Sequence, residues 1–536
     1  MKLSRPLRIA FAIVSGIALG LSFPNYNLPL LAWGAIALLI LASVGAGISE
    51  APLYGFLHGL VFYPTCLPWI DVVMRQYGNV DPLDAAGILA LIGIAGGIIL
   101  MIFSTSLALV SRRSKPAAFA LAPFLWVTLE FARTHLPIIG FPWNLTGYAA
   151  SGNLAFLQLT PLTGIFGLSF VIAAFNAVLA WTIWTRTRRS IQIVCGAAAA
   201  LLLIAFAGPH FVPSQTPRYV AHLVQTNFPQ SEHYPENWMQ LHSGELDELA
   251  NISVDAARKM PGLIVWPEVP APFSFQDLKF VQRVQKIARD SGQYFLFGVE
   301  DWRLDANRQW DVTNSAVLLN PAGERVFTYD KIHMVPFGEY VPLRRWIKFA
   351  GRLTADIADF TPGTEYRVGQ LPGGRFGTFI CYEAIFPGEI RNFAANGAGL
   401  LINISNDGWF GRSAAPAQHL MMSRVRAVES RRWMLRATNN GYTVAVDPYG
   451  RIVAEMATDV RGELDAPYDF RTDRSLYSLW GDWIAWLSLL ASAALIGWGL
   501  LARPERSLAE IPAAAPASRE PKGRESKKKS RRRGRR

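Results

Sequence analysis

Long apolar stretches alternate with polar ones along this chain, and eight of them approach the length of a membrane helix, about 20 residues. Seven precede a large polar region and one follows it. The second is short, and Pro64 and Pro68 interrupt the third. The pattern predicts a bundle of eight transmembrane helices, at residues 7–23, 28–44, 53–74, 85–110, 117–133, 162–184, 191–212 and 476–501.

Basic residues in the short loops predict the orientation of this bundle. They stand before the first span, between the fourth and fifth, between the sixth and seventh, and after the eighth, all on one side of an eight-span count. Because positively charged loops stay in the cytoplasm, we expect both termini there and residues 213–475 on the opposite side of the membrane. A cleaved signal peptide in place of the first span is disfavoured, since no small-residue cleavage site closes it.

The predicted helices carry few charges. Asp71 and Arg75 stand one helical turn apart, as do Glu130 and Arg133, so we expect each acid to pair with its neighbouring base. This scarcity of intramembrane polar residues argues against a transporter.

The polar region from about 219 to 469 alternates short apolar runs with helical repeats, which predicts a layered α/β domain. Predicted helices lie at 236–259, 275–291 and 415–435. Predicted strands lie at 219–225, 262–266, 294–299, 314–319, 325–329, 377–380, 399–404, 443–447 and 452–456.

Composition and charge support a membrane protein rather than a nucleic-acid-binding one. The chain is 51% hydrophobic with only 17% charged residues, whereas soluble proteins carry about a quarter. Of the net charge of +12, residues 503–536 hold +9, from thirteen Lys or Arg against four Asp or Glu. This tail cannot bury enough to order itself, so we expect a disordered cytoplasmic segment against anionic lipid, with no specific nucleic-acid partner.

Three predicted strands lead to side chains suited to nucleophilic catalysis. One runs directly into Cys381, one ends two residues before Glu268, and one ends two residues before Lys331. A free thiol titrates near ~8.5, so a nucleophilic cysteine needs a base or a cation brought from elsewhere in the chain. Cys66 and Cys195 lie within apolar spans, where we expect buried hydrophobic side chains and no disulfide.

Three sequence motifs of this chain resemble those of a known family. The stretch from Lys331 reads Lys-Ile-His-Met-Val-Pro-Phe-Gly-Glu-Tyr-Val-Pro, residues 405–411 read Ser-Asn-Asp-Gly-Trp-Phe-Gly, and residues 141–148 read Phe-Pro-Trp-Asn-Leu-Thr-Gly-Tyr. With the predicted helices, they resemble the apolipoprotein N-acyltransferase family, membrane-bound members of the nitrilase superfamily of carbon-nitrogen hydrolases. The resemblance covers nearly all of the chain except the tail and implies an α-β-β-α sandwich for residues 213–475.

The resemblance also implies roles for individual residues. Cys381 is the expected nucleophile, Glu268 the base that takes its proton, and Lys331 the cation that stabilises the oxyanion. Supporting roles are implied for Glu339, Tyr382 and Glu383. No cofactor and no metal site is expected.

The implied reaction is a two-step acyl transfer. Cys381 takes an acyl chain from a phospholipid, phosphatidylethanolamine being the expected donor. The α-amine of an N-terminal diacylglyceryl-cysteine on an apolipoprotein then removes it from the thioester. A monomer in the membrane is expected.

Two other functions remain open from the residues alone. A membrane-anchored nitrilase or amidase would use the same three residues to pass the acyl group to water, although hydrolysis would not require seven spans before the domain. A lipid-binding or transport protein would keep its function after Cys381→Ala. Two segments have open roles as well: 342–361 is either an amphipathic lid or a helix packed on the domain, and 136–148 is either a lipid-facing element or an interfacial aromatic belt.

Overall fold

The computed structural model describes residues 3–136, 140–231, 234–304, 308, 310–340 and 360–501. Segment 342–361 lies outside these residues except at its last two positions, and so does the tail beyond 501. The helices are α1 (Arg5–Gly20), α2 (Ala32–Ser43), α3 (Ala51–Cys66), α4 (Trp69–Gln76), α5 (Pro82–Ser111), α6 (Lys115–His135), α7 (Leu154–Leu157), α8 (Thr160–Thr185), α9 (Arg188–Ala207), α10 (Trp238–Leu241), α11 (Ser243–Lys259), α12 (Leu278–Ser291), α13 (Pro387–Ala395), α14 (Ala415–Ser430), α15 (Leu476–Trp480) and α16 (Trp483–Leu501).

Within the described residues, four helices are long and apolar enough to cross a membrane, namely α5, α8, α16 and α9 with the 3₁₀ turn that extends it to Phe211. The third predicted span is broken: α3 and α4 meet at 57°, and together they would make a fifth crossing. The break follows from Pro64 and Pro68, which remove helical N–H groups at this point. The helices α1 and α2 have 16 and 12 residues, so the count of eight spans stays a prediction.

Glycines allow α3 to pack closely against α5. A Cβ at Gly55 would lie 2.0 Å from the carbonyl oxygen of Leu100, and one at Gly59 would lie 2.5 Å from the backbone nitrogen of Gly97. Small residues of this kind let apolar helices approach at backbone distance, where van der Waals contact holds them together. These glycines thus let α3 and α5 pack at backbone distance in the interior of the bundle.

The two expected charge pairs behave differently. Arg75 contacts Asp71 at 3.0 Å, as the helical spacing predicted. Glu130 instead accepts hydrogen bonds from the Thr146 N–H and the Trp126 indole, and Arg133 donates to the carbonyl of Trp143. The prediction of a Glu130–Arg133 pair was therefore wrong, because both side chains hold the loop that follows their helix.

The strands are β1 (Tyr219–Gln225), β2 (Leu263–Val265), β3 (Phe295–Leu304), β4 (Trp310–Leu319), β5 (Arg325–Asp330), β6 (Val368–Leu371), β7 (Gly374–Ile380), β8 (Leu400–Ser405), β9 (Trp433–Thr438), β10 (Val444–Val446), β11 (Ile452–Glu455) and β12 (Gly462–Tyr468). They form two six-stranded sheets, ordered β12-β1-β2-β3-β4-β5 and β11-β10-β9-β8-β7-β6. Buried side chains of both sheets form one core cluster, and α12 covers the outer face of the first sheet. With α13 and α14 on the second sheet, this is the α-β-β-α sandwich of the nitrilase fold.

The helix predicted at 415–435 was too long. The helix α14 ends at Ser430, Arg431 takes a left-handed conformation (φ 53°), and β9 begins at Trp433. The strand β9 lies between β8 and β10 and is buried along its whole length, so its apolar run has no alternation that would distinguish a strand from a helix. The strands β6 and β12 were also missed.

The helix α14 is shared between the two parts of the molecule. Its Met422, Val425 and Val428 belong to the core cluster of the apolar helices, whereas Leu420 and Ala427 belong to the core of the sandwich. The sandwich therefore packs on the helix bundle through a helix that is buried on both faces.

Candidate active site

Cys381 stands at a sharp turn between β7 and the 3₁₀ turn Cys381–Ile385. Its φ of 48° is left-handed, which costs a non-glycine residue roughly 1–2 kcal/mol. The turn takes the side chain out of the line of its strand, and such strain is held only where the surroundings determine the conformation. One of those surroundings is His419 of α14, whose Nε2 lies 3.0 Å from the carbonyl oxygen of Cys381.

Glu268 and Lys331 are buried together, as the expected catalytic set requires. Nζ of Lys331 donates to Glu268 Oε1 at 3.1 Å and to Glu339 Oε1 at 2.8 Å. Lys331 is 1% exposed and Glu268 6% exposed. The ammonium therefore lies between two carboxylates in a site with little access for water, where electrostatic interactions are strong.

Backbone and amide donors fix the orientation of these carboxylates. Asn314 Nδ2 donates to Glu268 at 2.8 Å and to Glu339 at 2.9 Å, so it bridges the two. The N–H of Asn406 donates to the second oxygen of Glu268, and the N–H of Val335 to the second oxygen of Glu339. Each carboxylate thus has both oxygens occupied and a fixed orientation toward Lys331.

Electrostatics keeps the cysteine protonated and the lysine charged. Burial, reinforced by the negative charge of Glu268, raises the pKa of the Cys381 thiol well above its usual range, and Lys331 opposes this only in part. Burial alone would lower the pKa of Lys331, but Glu268 and Glu339 outweigh it and raise that pKa. The arrangement is a neutral thiol beside an ammonium and an oriented carboxylate.

Glu383 and Tyr382 follow the cysteine and have different surroundings. Glu383 Oε2 accepts from the N–H of Ile380, and its Oε1 accepts from the N–H of Ile332 and the hydroxyl of Tyr329. This carboxylate joins the turn of Cys381 to the segment that begins at Lys331. Burial, with a smaller contribution from Glu389, raises its pKa to about 7.

The ring of Tyr382 is buried beside His333 and Phe386. His333 itself pairs with Glu389, its Nδ1 lying 2.7 Å from the carboxylate, which agrees with a structural role.

Sequence reasoning missed several residues that hold this site. Asp407 accepts from Arg436 at 2.8 Å and lies 3.1 Å from His419, all fully buried. Although burial alone would raise the pKa of Asp407, Arg436 and His419 together hold it well below its usual range. Asn406 and Asp407 belong to the stretch 405–411, which was a visible signal. His419 and Arg436 stand inside a regular helix and strand, without a local motif.

The aromatic loop of residues 140–148 also differs from both expectations for it. Trp143 and Tyr148 are each 1% exposed and packed within the molecule. Trp143 lies against Trp69, with ring centroids 4.8 Å apart, and against His419 at 5.8 Å. These aromatic side chains therefore face protein rather than lipid.

One group among the described residues has ligand types and spacing that could hold a metal ion, His222, Glu463 and Asp465, with ligand atoms within 4.8 Å of one another. It belongs to β1 and β12 and includes no residue of the Cys381 group. His222 Nδ1 already lies 2.9 Å from Glu463 and 3.0 Å from Asp465, which ion pairing explains.

Both parts of the chain are similar to known proteins. Residues 223–475 match the family described as carbon-nitrogen hydrolase, and residues 15–178 match the N-terminal domain of apolipoprotein N-acyltransferase. The chain is 34% identical to the apolipoprotein N-acyltransferase of Geobacter metallireducens, over 90% of this chain and 94% of that one. It is also 34% identical to that of Methylococcus capsulatus, over 88% and 92%. Among solved structures, it is 22% identical to an amidase from Nesterenkonia sp., covering 49% of this chain and 95% of that one, with a TM-score of 0.35. The chain belongs to the apolipoprotein N-acyltransferase family.

Proposed function

We propose that the N-acyl transfer of this family proceeds in this chain through a thioester on Cys381. The observation that carries the proposal is the buried set of Glu268, Lys331 and Glu339, with an oriented carboxylate and an ammonium that both interact electrostatically with the thiol. Burying a cation between two carboxylates has a large desolvation cost. Buried charged groups of this kind cluster at functional sites.

In the first half-reaction, Glu268 takes the proton of the thiol as the sulfur attacks the ester carbonyl of a phospholipid. Lys331 and a backbone N–H near Tyr382 stabilise the oxyanion, and one such donor is worth roughly 10²–10³ in rate. The tetrahedral intermediate then collapses. The lysophospholipid oxygen leaves with the proton from Glu268, and the acyl chain remains on sulfur.

In the second half-reaction, the α-amine of the diacylglyceryl-cysteine attacks the thioester. Glu268 accepts a proton from that amine and returns one to the departing sulfur, so the enzyme regains its starting state. Glu339 keeps Lys331 charged and in place through both steps, because its oxygen lies 2.8 Å from Nζ. The low exposure of the site keeps water from the thioester.

Because both substrates carry lipid chains, the enzyme must meet them at a membrane. We propose eight spans in an inner membrane, at 1–212 and 476–502, with the catalytic domain of 213–475 in the periplasm and both termini in the cytoplasm. The apolar helices and the basic loops support this arrangement. We further propose phosphatidylethanolamine as the donor, a diacylated apolipoprotein as the acceptor, a monomeric enzyme, and a disordered tail at 503–536.

The test is the intact mass of the purified protein after incubation with phosphatidylethanolamine vesicles. The wild type should gain the mass of one acyl chain, and diacylated lipopeptide should remove it. The chain has three cysteines, which provides matched controls: Cys66→Ala and Cys195→Ala should still gain the adduct, and Cys381→Ala should not. An adduct that persists in Cys381→Ala, or none in the wild type, would refute the proposal.

A further inference from the structure

One glutamine of α14 connects the catalytic domain to three separate stretches of the apolar part of the chain. Gln418 is fully buried. Its Oε1 accepts from the indole N–H of Trp69 at 3.1 Å and of Trp143 at 2.6 Å, and its Nε2 donates to the carbonyls of Pro24 at 2.8 Å and Cys66 at 3.0 Å. We call this group the Gln418 junction.

The partners leave no freedom in how this amide is oriented. An indole N–H can only donate and a carbonyl oxygen can only accept, so the Oε1 and Nε2 positions of Gln418 are determined by its surroundings. Both N–H groups and both lone pairs of the amide are used. A buried amide satisfied in this way has one conformation, and removing the amide would leave up to four buried polar groups unpaired.

The residues of the junction belong to elements that are otherwise far apart in the chain. Pro24 follows α1, Cys66 ends α3, and Trp69 begins α4, so Gln418 lies at the 57° break between α3 and α4. Trp143 is held from the other side, since Arg133 of α6 donates to its carbonyl at 3.0 Å. The junction therefore fixes helix ends on the catalytic side of the bundle.

The next residue of the same helix contacts the turn of the nucleophile. His419 lies 3.0 Å from the carbonyl oxygen of Cys381, and its ring lies against Trp143. Along one stretch of backbone, α14 thus binds the apolar helices through Gln418 and the Cys381 turn through His419. A displacement between the two parts at this point is therefore passed to the Cys381 turn through two adjacent residues.

We propose that Gln418 is a positioning residue that sets Cys381 relative to the ends of the apolar helices, so that a phospholipid ester held among them meets the sulfur. The inference rests on the proposed thioester function. A shift of about 1 Å between reacting atoms can cost ~10²-fold in rate, and the junction is the contact between the two parts that lies next to the residue holding the Cys381 turn. Gln418 does not touch the thiol, so its loss affects how a lipid reaches Cys381 and leaves the chemistry of the thiol intact.

The experiment compares two reactions of the same thiol in Gln418→Met, which keeps the side-chain volume and removes the amide. The first is the rate of thioester formation from phosphatidylethanolamine in proteoliposomes. The second is the rate at which iodoacetamide alkylates Cys381, followed by peptide mass; the sulfur displaces iodide and forms a thioether. We expect the first rate to fall at least tenfold and the second to stay within threefold of the wild type.

Two further variants separate this role from a general structural one. Gln225 is also a fully buried glutamine with three hydrogen bonds, but its partners all lie within the sandwich. Gln225→Met should therefore change the two rates in the same proportion. Gln418→Glu, which burial favours in its protonated form, keeps the two acceptor contacts and one of the two donors, so its lipid rate should lie between those of the wild type and Gln418→Met. The same comparison of rates applies to it if Gln418→Met does not fold.

Equal losses in the two reactions, or an unchanged lipid rate, would overturn the proposed role of Gln418 and leave the proposed function standing. A wild type that forms no thioester would overturn the proposed function, and this inference with it.

Discussion

Removing the charge of Lys331 should separate its structural role from its catalytic one. In Lys331→Met, Glu268 and Glu339 stay buried but lose the ammonium that lies 3.1 and 2.8 Å from them. The amide of Asn314 still donates to both carboxylates. Breaking a buried ion pair on one side costs about 3–5 kcal/mol, because the partner charge stays buried. With about 2–4 °C per kcal/mol for a domain of this size, Tm should fall by roughly 6–20 °C.

The same variant should lose thioester formation by about 10²–10³-fold, since the oxyanion loses its cation. The destabilisation should also depend on pH. Two carboxylates that share a site raise the pKa of one of them above its unfolded value, so the variant is favoured below that value and loses stability as pH rises. Tm measured in detergent at pH 5 and pH 8 should therefore show the larger deficit at pH 8.

A second substitution tests the reasoning. Adding Glu339→Gln removes the extra negative charge, so the double variant should regain about 1–3 kcal/mol of the lost stability. It should regain no thioester formation, because the cation is still absent. Lys286→Met is the surface control: this lysine is 70% exposed beside Asp290, and its loss should change stability by no more than ~0.5 kcal/mol. Activity restored in the double variant, or a Tm unchanged in Lys331→Met, would refute the assigned charge balance.

Three other changes probe the groups around this set. Glu383→Gln should reduce the pH dependence of Tm: burial raises the pKa of Glu383 to about 7, so wild-type stability is lost as pH rises from the unfolded value near ~4.3 toward 7, and a pH series should show a steeper slope in the wild type than in the variant. Asn314→Ala should slow thioester formation about tenfold by freeing both carboxylates, and unaltered burst kinetics would argue against the bridge. Gly298→Ala places a Cβ 2.6 Å from the Cα of Glu268 and should cost about 1–3 kcal/mol and lower activity, whereas Gly244→Ala, with open space around it, should do neither.

The sequence indicated the nucleophile, base and cation because each follows a short strand, and polar groups after strands stand out against the apolar pattern. Glu268 comes three residues after β2, Lys331 directly after β5, and Cys381 directly after β7. Their meeting depends on two sheets packed face to face, which no local pattern expresses. The family resemblance supplied that step, and the fold agrees with it.

Other features of the structure could not be predicted from the local sequence. Arg436 lies within β9, and His419 lies within α14, so both look like residues of ordinary buried elements until the sheets are assembled. The pairing of Glu130 with Arg133 was a reasonable reading of helical spacing, but the loop at 140–148 offered each of them better partners. A pattern that considers one helix at a time cannot include such partners.

The raised pKa of the thiol is consistent with its use as a nucleophile when the charges of the whole site are counted. Glu268, Lys331 and Glu339 together carry a net charge of −1 while the thiol is neutral, so ionising Cys381 into solvent would add a second negative charge to a buried site. Transferring the proton to Glu268 moves a negative charge from oxygen to sulfur and leaves the total unchanged. Lys331 then exchanges one anionic partner for another, and Glu339 holds it in place during the exchange. The resting enzyme therefore keeps a neutral thiol, and the nucleophile forms when the proton passes directly to Glu268 as an electrophile arrives.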